Sequence, residues 1–191
     1  MNKNDWSFLE GDVTAAARRL LGCELVRTTG GRKVRLKIVE TEAYHQTDAA
    51  SHSFKGKTPR TEVMFGPAGH LYVYFTYGMH YCMNIVTGPK GEGSAVLLRA
   101  AEPLTGWQEL RANRAGVDDN NVTNGPAKLC KALGIDKTWN GHDLHQRPLE
   151  LRIMPPVAAD CVAQTTRVGI TQAKDVPWRF YLKDNHFVSK K

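Results

Sequence analysis

The sequence predicts an α+β fold: a single domain with a mixed, mostly antiparallel β-sheet, surrounding helices and a protruding β-hairpin. Two pairs of strand-like segments are each joined by a short turn that contains glycine, which is typical of antiparallel neighbours. Segments with helical signals are short and lie between the strands. The 191 residues contain no repeat and no clear boundary. We therefore expect residues 1–191 to form one domain with a substantial core.

The charge balance predicts an anionic partner. There are 26 lysines and arginines against 19 aspartates and glutamates, which gives a formal net charge of +7 and a pI of about 9.3. Nucleic acid is favoured over a membrane, because no apolar run approaches the roughly 18 residues of a spanning helix. The N-terminus is too polar to open a secretory signal. The expected location is therefore the cytoplasm.

Cysteine and histidine spacing predicts no metal site and no disulfide. His45, Asp48 and His52 are possible ligands, but their spacing matches no strong metal-binding pattern. The cysteines are far apart, lie in apolar settings and form no Cys-x-x-Cys pair, so we expect four buried thiols in a reducing compartment. These are Cys23, Cys82, Cys130 and Cys161. No cofactor is expected.

The first elements are a short helix and a hairpin. Asp12 can cap a helix through Leu21, which Gly22 would end. Strands over residues 24–28 and 34–41 then flank a Gly-Gly turn, which predicts an antiparallel pair.

Residues 71–84, LYVYFTYGMHYCMN, predict a second, tighter hairpin around Tyr77-Gly78. Glycine at the second turn position can supply a positive φ. Alternation places Tyr72, Tyr74 and Thr76 on one face of the first strand. A tyrosine at an exposed tip is either an ordinary surface aromatic or a wedge that enters a base stack.

The second half predicts more short elements. An apolar strand over residues 94–101 contains one charge, Arg99, and Thr105 with Gln108 fits a capping box for the next helix. After a polar loop over residues 113–124, a helix opens at Gly125-Pro126 and ends at Gly134. Further strands are expected over residues 149–154, 167–170 and 178–182.

Glu42 is the strongest candidate for chemistry from the residues alone. In the strand that begins at Val34, alternate residues form an apolar face, and Glu40 and Glu42 are the next two residues on that face. In a regular strand these two glutamates would be about 7 Å apart. Glu42 either forms a structural ion pair or acts as a general base that activates water. Arg99, in an apolar strand, needs a carboxylate partner and could orient Glu42.

Three other polar residues are candidates for binding. His52 is suited to donate a hydrogen bond in a pocket. Lys128 lies at the start of a predicted helix, where free N–H groups favour a phosphate, although a solvated lysine is the ordinary alternative. Asn84 could read a base edge or satisfy backbone groups.

Several motifs together resemble the alkyladenine (3-methyladenine) DNA glycosylase family, in the eukaryotic-type fold that bacteria also contain. The similarity runs in order over nearly the whole chain, and its long motifs are specific. They are VETEAY at 39–44, SHS at 51–53, LYVY to YGM and CMN within 71–84, VLLRA at 96–100 and GPAKLC at 125–130. The sequence departs from the vertebrate pattern at His80, beside the hairpin tip, and lacks the long basic tail of animal members, which favours a bacterial source.

The resemblance implies a role for each matching residue. Glu42 matches the general base that deprotonates the attacking water, and Arg99 matches the arginine that fixes water and carboxylate. Tyr77 matches the intercalating wedge, with Met79 beside it.

The base pocket is implied in the same way. Tyr44, His52 and Tyr74 match the residues that sandwich and hydrogen-bond an extruded base. Asn84 matches the asparagine thought to clash with the 2-amino group of guanine. Lys128 is expected at the DNA backbone.

The resemblance implies a monomeric, monofunctional enzyme that needs no metal. Its substrate would be duplex DNA containing alkylated or deaminated purines, bound from the minor groove in the bacterial nucleoid: 3-methyladenine and 7-methylguanine, with hypoxanthine and ethenoadenine as further candidates. Two alternatives stay open from the residues. One is a non-catalytic binder of damaged or distorted nucleic acid. The other is an inverting carbohydrate hydrolase that uses Glu40 and Glu42 as its paired carboxylates.

Overall fold

The computed structural model describes residues 5–189 and has the predicted α+β architecture. Three helices and eight strands make up the regular structure of this range. They are α1 (Val13–Leu20), β1 (Glu24–Thr29), β2 (Arg32–His45), β3 (Leu71–Thr76), β4 (His80–Val86), β5 (Ser94–Thr105), α2 (Trp107–Asn113), α3 (Pro126–Leu133), β6 (Leu149–Arg152), β7 (Val162–Thr165) and β8 (Arg179–Leu182).

The eight strands form one sheet around the long central strand β2. The order is β3-β4-β5-β2-β1-β6, and every pairing among the described strands is antiparallel. β2 pairs with β5 along one edge. Its other edge pairs with β1 over its first half and with β8 at residues 40–42. The second half of β2 is therefore enclosed by strands on both edges, and residues 38–43 are all buried.

Helices cover the sheet and close the main core. α1 packs on β2, and α3 packs on β4 and β5. The apolar residues that meet there are fully buried, among them Leu20, Leu36, Ile85, Leu98 and Leu129. Apolar burial of this kind is the main favourable contribution to folding. This packing therefore holds in place the strands that carry the candidate site residues.

The local signals for α1, α3 and the two hairpins are confirmed. The Asp12 carboxylate accepts hydrogen bonds from the backbone N–H groups of Thr14 and Ala15 and so caps α1. Gly134 ends α3 with a φ of +60°. Both hairpin turns fall where glycine was expected, at Gly30-Gly31 and at Gly78.

Three expectations are wrong. The capping box does not form, since α2 begins after Gly106, which has a φ of +85° and offers no side chain as a cap. A Cβ on Gly106 would lie 2.7 Å from the Cα of Val34, so the close approach of α2 to β2 requires glycine. Residues 167–170 form a loop, not a strand, and β7 lies just before them. Cys161 is exposed, while the other three cysteines are buried.

Candidate active site

A cavity of about 500 Å³ opens between the β3–β4 hairpin, the end of β2 and the loop that follows β7. It is large enough for a purine base. Six of the residues singled out in the sequence line it: Tyr44, His52, Tyr74, Tyr77, Asn84 and Arg99. The structure therefore brings together residues that are up to 55 positions apart, from Tyr44 to Arg99.

Glu42 lies behind the wall of this cavity and is completely buried. Its Oε1 accepts a hydrogen bond from the backbone N–H of Val168 at 2.7 Å, and Nη1 of Arg99 lies 3.3 Å from the same oxygen. The hydroxyl of Tyr44 donates to Oε2 at 2.8 Å. All three partners line the cavity. A cation and two hydrogen-bond donors thus surround a carboxylate that is out of contact with bulk water.

A double irregularity in the sheet carries Arg99 to this position. In the β2–β5 ladder, Ile38 pairs with Ala101 and Glu40 with Ala100, but Thr41 pairs with Leu98. The register therefore skips one residue on each strand, Val39 on β2 and Arg99 on β5. Such bulges redirect side chains and often lie near active sites.

Glu40 does not take part in a carboxylate pair across an open cavity. It is completely buried, and it accepts hydrogen bonds from the Nε atoms of Arg99 and Arg179 at 2.9 and 2.7 Å. The backbone N–H and the hydroxyl of Ser189 donate to it at 2.6 and 2.9 Å. An inverting hydrolase needs room for a water between its carboxylates and a sugar ring. Glu40 has protein donors in that place, which argues against the carbohydrate hydrolase.

Tyr44 is held by residues that the sequence did not reveal. Arg167 stacks its guanidinium on the Tyr44 ring, 4.7 Å from the ring centroid, and forms a buried ion pair with Asp48. Burial and the Glu42 charge raise the pKa of Tyr44 above its ordinary value. Tyr44 therefore stays a neutral phenol that donates to Glu42.

His52 and two tyrosines form the opposite wall. The Nδ1 of His52 lies 3.0 Å from the Tyr72 hydroxyl, and its ring meets the Tyr74 ring edge-on at 4.5 Å. Although the ring borders the open cavity, burial by the surrounding protein and the charge of Arg60 lower the pKa of His52 to about 4. The imidazole is therefore neutral at pH 7 and carries one N–H that can donate.

Asn84 lies on β4 directly across from Tyr72. Its Nδ2 donates to the Tyr72 carbonyl at 3.0 Å, and its side chain lines the cavity. It therefore satisfies a backbone group, one of the two expected roles, and its contact with a base edge stays a prediction.

The tip of the β3–β4 hairpin is exposed at the edge of the cavity. Tyr77 and Met79 are 81% and 70% exposed, and Tyr77 borders the cavity. Both Tyr77 and Gly78 have positive φ angles, +51° and +67°. That conformation is costly for tyrosine, and such strain is concentrated at functional sites. The backbone thus directs a large aromatic ring away from its own protein.

Lys128 lies in the first turn of α3, whose Pro126 lines the cavity. Its Nζ donates to Oδ1 of Asn124 at 2.8 Å and is 3.4 Å from Oδ1 of Asn121. The two side-chain amides thus hold the ammonium, and its contact with a phosphate stays a prediction.

Within residues 5–189, no three histidine, cysteine, aspartate or glutamate side chains are grouped in a way that could hold a metal ion. The same range contains no helix that is long and apolar enough to cross a membrane.

Sequence reasoning missed the loop that follows β7. It supplies the Val168 N–H to Glu42 and the Arg167 side chain to Tyr44, and residues 168–172 line the cavity. These contacts join positions about 125 apart in the chain, such as Val168 and Glu42, whose separation is 126. No local pattern could show them.

This chain is similar in sequence to known proteins over nearly its whole length. The model of the family described as methylpurine-DNA glycosylase matches residues 7–186. A protein of Carboxydothermus hydrogenoformans is 52% identical over 96% of this chain and 97% of its own length. Proteins of Methanoculleus marisnigri and Agrobacterium fabrum are each 48% identical over 97% of this chain, covering 97% and 91% of their own lengths. All three bear the name "Putative 3-methyladenine DNA glycosylase".

Because both the family match and the relatives cover nearly the whole chain, the resemblance seen in the sequence motifs is confirmed. The chain belongs to the methylpurine-DNA glycosylase family and is a DNA glycosylase, a hydrolase acting on N-glycosyl bonds.

Proposed function

We propose that this protein is a monofunctional glycosylase, a single domain over residues 1–191, that excises alkylated purines from duplex DNA and so begins base excision repair. The observation that carries the proposal is the placement of Glu42. Its buried carboxylate lies behind a purine-sized cavity, and an exposed aromatic tip stands at the edge of the same cavity. 3-Methyladenine and 7-methylguanine are the principal substrates, with hypoxanthine and ethenoadenine as further candidates.

Extrusion of the nucleotide is the first step of the proposed reaction. An enzyme cannot reach the glycosidic bond inside a stacked duplex, so it swings the nucleotide out at a cost of a few kcal/mol. Tyr77, with Met79 beside it, fills the vacated space from the minor groove. Lys128 and the net charge of +7 bind the phosphate backbone. The protein acts as a monomer on DNA in the bacterial nucleoid.

Selection takes place in the cavity. An alkylated purine carries positive charge, so it is attracted to the electron-rich faces of Tyr44 and Tyr74 more strongly than a normal purine is. The neutral His52 donates a hydrogen bond to the base. Asn84 opposes the 2-amino group of guanine, because its Nδ2 is already engaged with the Tyr72 carbonyl and its side chain is fixed. 7-Methylguanine carries the same group, so its positive charge must offset this contact, which normal guanine cannot do.

Hydrolysis relies on Glu42 and Arg99. The bond between C1′ and the base breaks with both electrons going to the cationic base, which leaves as a neutral molecule. The Glu42 carboxylate stabilises the positive charge that develops on the sugar and accepts a proton from the attacking water. The water oxygen bonds to C1′, which leaves an abasic site. Arg99 pairs with the Glu42 carboxylate and helps to fix its orientation.

The test is release of free 3-methyladenine from methylated duplex DNA by the purified protein. Glu42→Gln should lower the single-turnover rate by roughly 10³-fold or more, in the range of other essential acid–base residues, while DNA binding persists. Wild-type turnover in the Gln variant would exclude Glu42 as the base. Salt-dependent binding without abasic product, by a folded wild-type protein, would instead favour the non-catalytic binder.

A further inference from the structure

We infer that Glu40 is a positioning residue, which holds Arg99 against Glu42. Glu40 is itself held by the C-terminal segment, residues 185–189. The inference rests on the proposed role of Glu42 as the base. Glu40 is completely buried, and its donors come from three elements: Arg99 on β5, Arg179 on β8 and Ser189 near the C-terminus.

Arg99 is shared between the two carboxylates. Its Nε donates to Oε1 of Glu40 at 2.9 Å, while Nη1 lies 3.3 Å from Oε1 of Glu42. A guanidinium is planar and rigid, so fixing Nε also fixes the plane and direction of the other nitrogens. The tighter contact with Glu40 therefore determines where Nη1 meets Glu42.

The C-terminal segment completes this arrangement. The Ser189 hydroxyl donates to Glu40 at 2.9 Å and lies 3.3 Å from Nη2 of Arg99, so it contacts both members of the pair. Val188 is buried against Val39 and Ala100, at the irregularity in the β2–β5 ladder. The segment thus covers the point at which both strands are displaced to bring Arg99 into the site.

Glutamine cannot replace Glu40 without a conflict. Oε1 faces donors on Arg99, Arg179 and Ser189, and Oε2 faces the Ser189 N–H. An amide NH₂ would meet a donor in either orientation, and a buried donor without an acceptor is unfavourable. Glu40→Gln also removes the negative charge that pairs with Arg99 and Arg179. The substitution should therefore loosen Arg99 while leaving the size of the side chain unchanged.

The first measurement compares catalysis with binding. Glu40→Gln should lower the single-turnover excision rate roughly 30-fold, because small displacements in an active site can cost up to 100-fold. The Kd for duplex DNA should change by about twofold or less, since Glu40 touches no surface. Glu102→Gln is the matched control: it removes a carboxylate from the same strand as Arg99, one that accepts from Asn185 of the C-terminal segment at 2.8 Å, and should change the rate by about twofold or less.

A double-mutant cycle separates positioning from a general loss of structure. In an Arg99→Gln background, Glu40→Gln should cost about threefold or less, because the residue through which it acts is gone. An equal loss in both backgrounds would overturn the inference, as would a wild-type rate in the single variant. If Glu40→Gln does not fold, Ser189→Ala replaces it in the same cycle, with an expected loss of roughly threefold in the wild-type background and no loss in the Arg99→Gln background.

A crystal structure of the variant provides a readout without activity. The distance between Nη1 of Arg99 and Oε1 of Glu42 should increase from 3.3 Å. An unchanged distance would overturn the inference even if the rate had fallen. A wild-type protein that releases no base would contradict the proposed function alone, because the variant structure would still decide what Glu40 holds.

Discussion

The two regions that border the cavity differ in burial and in charge. Behind the cavity, Glu40, Glu42, Arg99 and Arg179 form a buried network of two negative and two positive side chains. In front of the cavity, the side chains of Tyr77 and Met79 at the hairpin tip are mostly exposed to solvent. The network is costly to disturb because its charges have lost their water. The tip can be changed with little effect on the fold.

This difference predicts that the two regions control separate quantities. The network should govern stability and the chemical step, since its members contact one another and the cavity wall. The tip should govern how well DNA is engaged, because the side chains of Tyr77 and Met79 are exposed to a partner. Substitutions that move both quantities together would contradict the division.

The largest expected effect on stability is at Arg99. Arg99→Leu leaves Glu40 and Glu42 buried with one cation fewer, and breaking a buried pair costs about 3–5 kcal/mol. Thermal and denaturant unfolding measure this loss. The control is Arg32→Leu, which breaks the exposed ion pair with Glu109 and should cost less than about 1 kcal/mol. Similar losses in the two variants would mean that the network is not effectively buried.

An intermediate effect is expected at Tyr77, and it concerns DNA. Loss of one stacking aromatic costs about 1–3 kcal/mol, so Tyr77→Ala should weaken binding to lesion-containing duplex roughly 5- to 150-fold. Unfolding should be unchanged within about 0.5 kcal/mol, because the side chain is 81% exposed.

Titration with lesion-containing duplex measures the affinity, and thermal unfolding of the same preparation measures the stability. Phe75→Ala provides the comparison, since Phe75 lies on the same hairpin but packs on Tyr81, with ring centroids 5.1 Å apart. It should lose stability and keep most of its affinity. A Tyr77→Ala protein with wild-type affinity would remove the wedge from the proposed mechanism.

The hairpin tip could be predicted from the sequence, but the buried network could be predicted only in part. The tip depends on adjacent residues: aromatic strands, Tyr77-Gly78 and alternation place Tyr74 toward the cavity and Tyr77 outward. The pairing of Arg99 with Glu42 also followed from the need of a buried cation for a carboxylate.

The rest of the network depends on contacts that no local pattern contains. Glu40 and Ser189 are 149 positions apart, and the register shift at Val39 is visible only once β2 and β5 are paired. The same applies to the Val168 N–H, which a segment expected as a strand supplies from a loop. Local propensity identifies elements, whereas long-range pairing decides which polar groups meet.

The smallest expected effect lies between the two regions, at His52 in the cavity wall. Burial lowers the pKa of its imidazole from 6.5 to about 4, so the folded protein binds this proton less readily than the unfolded chain. Folding stability from this group is therefore fully present above pH 6.5 and is lost as the pH falls toward 4. Because the ring borders the open cavity, we expect a loss of about 1 kcal/mol or less between pH 7.5 and pH 5.

Urea unfolding of wild type and of His52→Gln at pH 7.5 and pH 5 isolates the contribution of His52 to the free energy of unfolding. The glutamine keeps a hydrogen-bonding side chain but does not titrate. Wild type should lose more stability on acidification than the variant does. An equal pH dependence in wild type and His52→Gln would show that the cavity wall is solvated like the hairpin tip, and that the buried environment ends at the network behind it.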